Sequence, residues 1–178
     1  MGRSTRRAGS VLTIAIVLMG FSLGAVVRAE AQGGWSAADA AALKGHALTM
    51  DKVRRTGEAM VEFDRLEKAR GDAADDEDTE QSIDAMVARI NAEPEARAVL
   101  KKHGLTTRDY LLTLLASTHA AAAAMVEESG QQATGIPVSR GQIEFYKANK
   151  AELDKLAAER KAAAASDDEE ADEGDVEE

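Results

Sequence analysis

Apolar residues in this chain recur at helical spacing. Ile83, Met86, Val87 and Ile90 fall at i, i+3, i+4 and i+7, which makes one clean stripe. Leu111, Leu114, Leu115, Thr118, Ala122 and Met125 form a second, and Ile143, Tyr146, Leu153 and Ala157 a third. No charge lies between Tyr110 and Val126 unless His119 is protonated. A helix apolar nearly all round is a buried one, so 106–129 is expected to be central, with Leu114 and Leu115 in the core. The segment 49–70 places Met50, Val53, Met60 and Val61 on one side. Phe63 and Leu66 drift off that stripe, which implies a bend or contact with two neighbours.

Helix starts share a local grammar: a hydrophobic residue, a Ser or Thr cap, and an apolar residue after the first turn. Trp35-Ser36 with Asp39 and Ala40, Leu48-Thr49 with Val53, Leu105-Thr106 with Asp109 and Tyr110, and Val138-Ser139 with Gln142 and Ile143 all follow it. Gly45, Gly71, Gly104 and Gly130 each follow a periodic segment, as a terminating glycine does. Pro94 suits the first turn of a short helix. The helices predicted are 36–44, 49–70, 82–91, 94–103, 106–129 and 139–163, with a charged linker over 71–80 and a loop over 130–138. The fold class is all-α: a small irregular bundle of five to six helices around a central apolar one.

Composition agrees. Aromatics are 3% and prolines number two, whereas alanine, the best helix former, is abundant. Alanine faces allow close helix approach but bury little area per residue. The absence of cysteine excludes disulfides, thiolate chemistry and cysteine-ligated zinc. A net charge of −10 disfavours nucleic acid and anionic membrane surfaces as partners. That charge is concentrated: 166–178 holds nine acids and no base, and 72–80 six acids and no base. The segment 166–178 is therefore expected to be a disordered acidic tail.

The N-terminus carries a basic region (Arg3, Arg6, Arg7), an apolar stretch from Val11 to Val27, and Ala29-Glu30-Ala31. This is the pattern of a secretory signal peptide, 1–31, with cleavage before Gln32 and a helical domain over 32–165. The expected location is periplasmic or secreted, with no stable membrane insertion after processing. An uncleaved membrane anchor is the alternative.

Two residues are candidates for function. His119 falls at helical spacing beside Leu112, Ala123 and Val126, where it is either a packed core histidine or a functional group. Asp64 lies on the apolar side of its helix, where a carboxylate needs a partner or a raised pKa; Lys68 at i+4 is within reach. His103 closes its helix before Gly104, as a capping residue does, and His46 falls in a loop where solvation is the simplest expectation. The acidic run 72–78 lacks the spacing and glycine of a calcium loop. No nucleophile elbow, phosphate loop or metal-ligand pair occurs, so no cofactor and no metal is expected.

The cap sequences Leu48-Thr49-Met50-Asp51-Lys52 and Leu105-Thr106-Thr107-Arg108-Asp109 resemble the two L-T-x-x-Q motifs of the Spy-type periplasmic helical chaperones, with Lys52 and Asp109 in place of glutamine. Segments 105–116 and 138–154 resemble exported bacterial proteins without an assigned activity, which implies no function. The first resemblance implies an exported helical protein that binds clients. The residues themselves favour a non-catalytic protein binding a partner, client or ligand in a groove between helices, the partner being another protein or a second copy. The alternatives are a structural or oligomeric envelope protein with loose cation binding by its acidic segments, and an enzyme of unrecognised type.

Overall fold

The computed structural model describes residues 35–70 and 82–172, with side chains for 35–69 and 82–163. Within them the chain forms six helices and no strand: α1 Ala37–Gly45, α2 Met50–Arg70, α3 Ile83–Ala92, α4 Pro94–Lys102, α5 Thr107–Glu128 and α6 Arg140–Asp172. Residues 1–31, where a signal peptide is expected, the expected linker 71–80 and residues 173–178 lie outside the described residues.

The predicted caps are made. Ser36 Oγ accepts from the Asp39 amide at 3.0 Å, and Thr106 Oγ1 from the Asp109 amide at 3.0 Å. Thr49 Oγ1 accepts from the Lys52 amide at 3.2 Å. Ser139 and Gln142 form a reciprocal box, the Gln142 side chain accepting from the Ser139 amide at 2.8 Å. Ser82 caps α3 in the same way through the Ala85 amide. Gly104 and Gly130 sit at φ 64° and 80°, each inside a Schellman closure. The Leu105 amide reaches the Leu100 carbonyl and the Gln131 amide reaches the Val126 carbonyl. Gly45 departs from its predicted role: it is the last residue of α1, and the cap is His46 in extended backbone.

α5 packs against each of the other five helices, so it is the central element. It is also the one helix among the described residues long and apolar enough to cross a membrane by length and composition alone. Its buried face is not the one with the most leucine. Tyr110, Leu111, Leu112, Thr113, Ala116, Ala120, Ala123 and Ala124 are buried; Leu114 and Leu115 are half-buried, Thr118 is exposed and Met125 is 45% exposed. The predicted stripe is thus rotated toward the alanines, because small side chains let neighbouring helices close over that face. On α6, Ile143 is buried, Tyr146, Leu153 and Leu156 are half-buried, and Ala157 faces solvent. On α2, Ala59, Met60 and Phe63 are buried, and the helix contacts α4, α5 and α6, which accounts for the drift of Phe63 off its stripe.

The apolar interior has three parts. The largest joins Met60 and Phe63 of α2 to Ile90, Val99, Leu100, Tyr110 and Leu111, with Phe63 set edge-on to Tyr110 at 5.3 Å between centroids. A second holds Leu43 of α1 against Ile83 and Leu112. A third packs Ala123 and Ala124 on Ile143 beneath the 131–139 loop. α6 runs nine residues past its predicted end at 163, to Asp172, because Ala162–Ala165 favour helix and the first glycine thereafter is Gly174.

Candidate functional site

His119 sits on α5 with its ring edge-on to Trp35, 6.0 Å between centroids and 75° between planes. The Pro137 carbonyl also reaches the ring. Its Nδ1 is buried and makes no hydrogen bond. Burial holds this imidazole below the ordinary histidine range, and the Pro137 carbonyl pulls the other way. His119 is therefore a half-buried ring under the start of α1.

His46 is not the solvated loop residue its position suggested. It caps α1, and its Nε2 lies 2.9 Å from Thr113 Oγ1 on α5. Burial is the chief cause that lowers its pKa; Lys52 lowers it further and Asp109 opposes. Beside it stands Gln142, which the sequence marked only as part of the cap that starts α6. Gln142, 3% exposed, donates through Nε2 to the carbonyls of Leu43 at 2.7 Å and His46 at 2.8 Å. With its oxygen on the Ser139 amide, both ends of the side-chain amide are used. One side chain thereby starts α6 and ties down the end of α1.

Asp64 is half-buried on α2. Burial raises its pKa, and the charges of Arg160 and Lys68 pull it back. Tyr110, beneath it in the core, has a buried hydroxyl without a hydrogen bond, and burial followed by the Asp64 charge pushes its pKa up. Asp64 and His119 do not share a site. Tyr110, the α5 residue that feels Asp64, precedes His119 by nine positions; that is roughly 13 Å of helix. His103 does close α4, and its ring bridges to α2: Nε2 lies 2.9 Å from Glu62 and Nδ1 3.3 Å from Glu58. Lys102 joins Glu62 at 2.7 Å and is the main reason the Glu62 carboxyl is held low.

Surface grooves also occur among the described residues. One, about 220 Å³, lies between α2 and α6 and is lined by Val53, Arg54, Gly57, Glu58, Val61, Leu156, Glu159 and Arg160. Another, about 340 Å³ and more open, lies where α3, α4 and the start of α5 meet and presents Arg97, Lys101 and Arg108. Arg108 is already engaged by Asp84. Among the described residues no group of three or more His, Cys, Asp or Glu is placed to hold a metal ion.

The raised pKa of Asp64 has a definite sign. A carboxyl held above its unfolded value costs stability when ionised, and the cost disappears as pH falls through its folded pKa. Asp64→Asn should therefore hold or raise the thermal midpoint at neutral pH, with the gain shrinking in acid. A clear drop at neutral pH would mean that attraction to Arg160 and Lys68 outweighs the burial. No family model matches the chain, and no curated protein and no solved structure matches it.

Proposed function

We propose that this is an exported, non-catalytic binding protein that holds an apolar segment of a protein partner in the groove between α2 and α6. Export rests on the pattern of residues 1–31. The observation that carries the binding reading is the composition of the groove. Val53, Gly57, Val61 and Leu156 supply apolar surface, and Arg54, Glu58, Glu159 and Arg160 supply charges of both signs. All four are tied within the bundle: Arg54 pairs with Glu152 at 2.8 Å, Glu58 lies 3.3 Å from His103, Glu159 lies 3.7 Å from Lys155, and Arg160 donates to the Met60 sulfur at 3.3 Å. Its volume of about 220 Å³ is below the roughly 300–1,000 Å³ usual for small-molecule sites. A pocket of that size takes one or two aliphatic side chains, as a helix laid into a groove presents them. The rim, mixed in sign, suits the polar flanks of an amphipathic helix and selects no strongly charged ligand. Client binding is also what the likeness to Spy-type chaperones implies.

Gly57 offers the test. A Cβ built there meets nothing within 4 Å, so a larger side chain has room inside the groove. Gly57→Leu should gain about 0.5–1 kcal/mol from helix propensity. The same leucine should weaken binding of a labelled amphipathic peptide, with leucines at helical spacing, by about tenfold or more. Binding by fluorescence anisotropy, together with a thermal melt, reads both. Unchanged affinity in a stable variant would overturn the groove, and wild type that does not bind but self-associates in a sizing run would favour the structural alternative.

Export has its own check. Protein recovered from the cell envelope or medium should begin at Gln32. Retention of Met1 in the membrane fraction would show that the segment is an anchor.

A further inference from the structure

α1 is nine residues long. A helix of that length is marginal by itself and persists through its docking. Its apolar contacts centre on one residue: Leu43, fully enclosed, meets Ile83 and Leu112, with Trp35, Ala42, Met86, Val87 and Leu115 at the margin. An imidazole stands at each end. At the C-terminal end the cap residue His46 reaches Thr113 of α5, while the Gln142 amide bonds the carbonyls of Leu43 and His46. At the N-terminal end Trp35 rests on the His119 ring of α5.

We propose that α1 is an acid-released latch, closed while His46 and His119 are uncharged and opened by their protonation to uncover the apolar face of Ile83, Leu112 and Leu115. The geometry at His119 gives the reason. Its Nδ1 is buried and makes no hydrogen bond, so with the first proton on Nε2 a second proton on Nδ1 is a buried charge that only the nearby Pro137 carbonyl offsets. Trp35 lies edge-on against that ring, so movement of Trp35 away from it exposes more of the imidazole to water. His46 sits in the α1–α5 junction with its Nε2 2.9 Å from Thr113 Oγ1 and its backbone carbonyl held by Gln142, and burial there opposes charge on the ring.

The surrounding charges leave this intact. Lys52 of α2 and Asp109 of α5 reach His46 with opposite sign and are themselves paired at 3.8 Å. The α6 group at that junction is the neutral amide of Gln142. On α1, Asp39 accepts from the Ser36 hydroxyl, and Lys44 is exposed. Around His119 the identified influences are burial and the Pro137 carbonyl, with Trp35 as an uncharged ring neighbour.

The sign follows from linkage. Both groups are held below the ordinary 6.5 in the closed state. The latch is fully stable above that value and weakens as pH falls from it toward the closed-state pKa of each ring. Each titrating histidine shifts the ratio of closed to open by up to about tenfold per pH unit, and two acting together by up to about a hundredfold. The latch stands apart from the α2–α6 groove, which no residue of α1 lines.

Trp35 is the only tryptophan in the chain, so its emission reports the latch directly. The full chain is titrated from about pH 8 to about pH 4.5, following Trp35 emission, far-ultraviolet helicity and the fluorescence of an apolar dye. Expected is a joint change in emission and dye binding with a midpoint below 6.5, most of the helicity being kept. The His46→Gln/His119→Gln double variant should show neither change. A flat wild-type titration overturns the latch, as does loss of the whole helical signal on the same curve. A midpoint at or above 6.5 also overturns it, since the indole face would then be holding an imidazolium. A double variant that keeps the wild-type transition overturns it in favour of carboxylates. Should the double variant prove open at neutral pH, the imidazole proton resonances of the wild type decide. Both histidines titrating below 6.5 in step with Trp35 emission supports the latch, and any other pattern rejects it.

Discussion

Ala116, Ala120, Ala123 and Ala124 leave no surface of α5 exposed where they stand, and the other helices are arranged by how closely they approach that face. A face without long side chains lets backbones near one another, which is how α5 meets all five neighbours. The same choice limits what burial contributes, because an alanine removes far less apolar area from water than a leucine. The larger apolar groups are accordingly pushed to the margins of the contact. Phe63, Leu100 and Tyr110 gather at the start of α5, Leu43 with Ile83 and Leu112 on another side, and Ile143 near its end.

With modest apolar gain per helix, polar groups specify how the ends are joined. Gln142 uses its whole amide on backbone groups, one at the start of α6 and two at the end of α1. Such a buried amide stabilises only when satisfied, and a packing that moved α1 would leave carbonyls unpaired. His46 with Thr113 extends that junction to α5. His103, bridged to Glu58 and Glu62, fixes α4 against α2 in a wetter setting. The short α1 is joined through such groups at its end, and the two histidines that meet its ends, His46 at its cap and His119 on α5, resist charge.

The sequence was legible where the controlling interaction is local. Caps at Ser36, Thr49, Thr106 and Ser139 satisfy amides three residues away, and Gly104 and Gly130 close their own helices, so spacing reveals them. The central place of α5 followed from its uncharged run. Which face it buries did not, because hydrophobicity ranks Leu114 and Leu115 above Ala120, whereas helix approach favours the smaller residue. The role of His46, and the bonds from Gln142 to α1, were illegible for a different reason. The partners there lie 67 and up to 99 positions away, and the local pattern at Ser139 marks only the other end of the Gln142 amide. His119 was found because its helical neighbours were apolar; that Trp35 covers it and that Nδ1 lacks a partner needed the fold. Asp64 was found likewise, but its charge partner on α6, Arg160, is 96 residues on.

The central claim is that the alanine face of α5, rather than its leucines, sets the packing of the bundle. Chemical denaturation of Ala120→Leu against Met125→Leu tests it most directly. The added leucine at a fully enclosed site should cost about 1–3 kcal/mol through overpacking. At the exposed Met125 the change should stay within about 0.5 kcal/mol. An Ala120→Leu variant as stable as wild type, or more so, would show that this face has room to spare and would contradict the account.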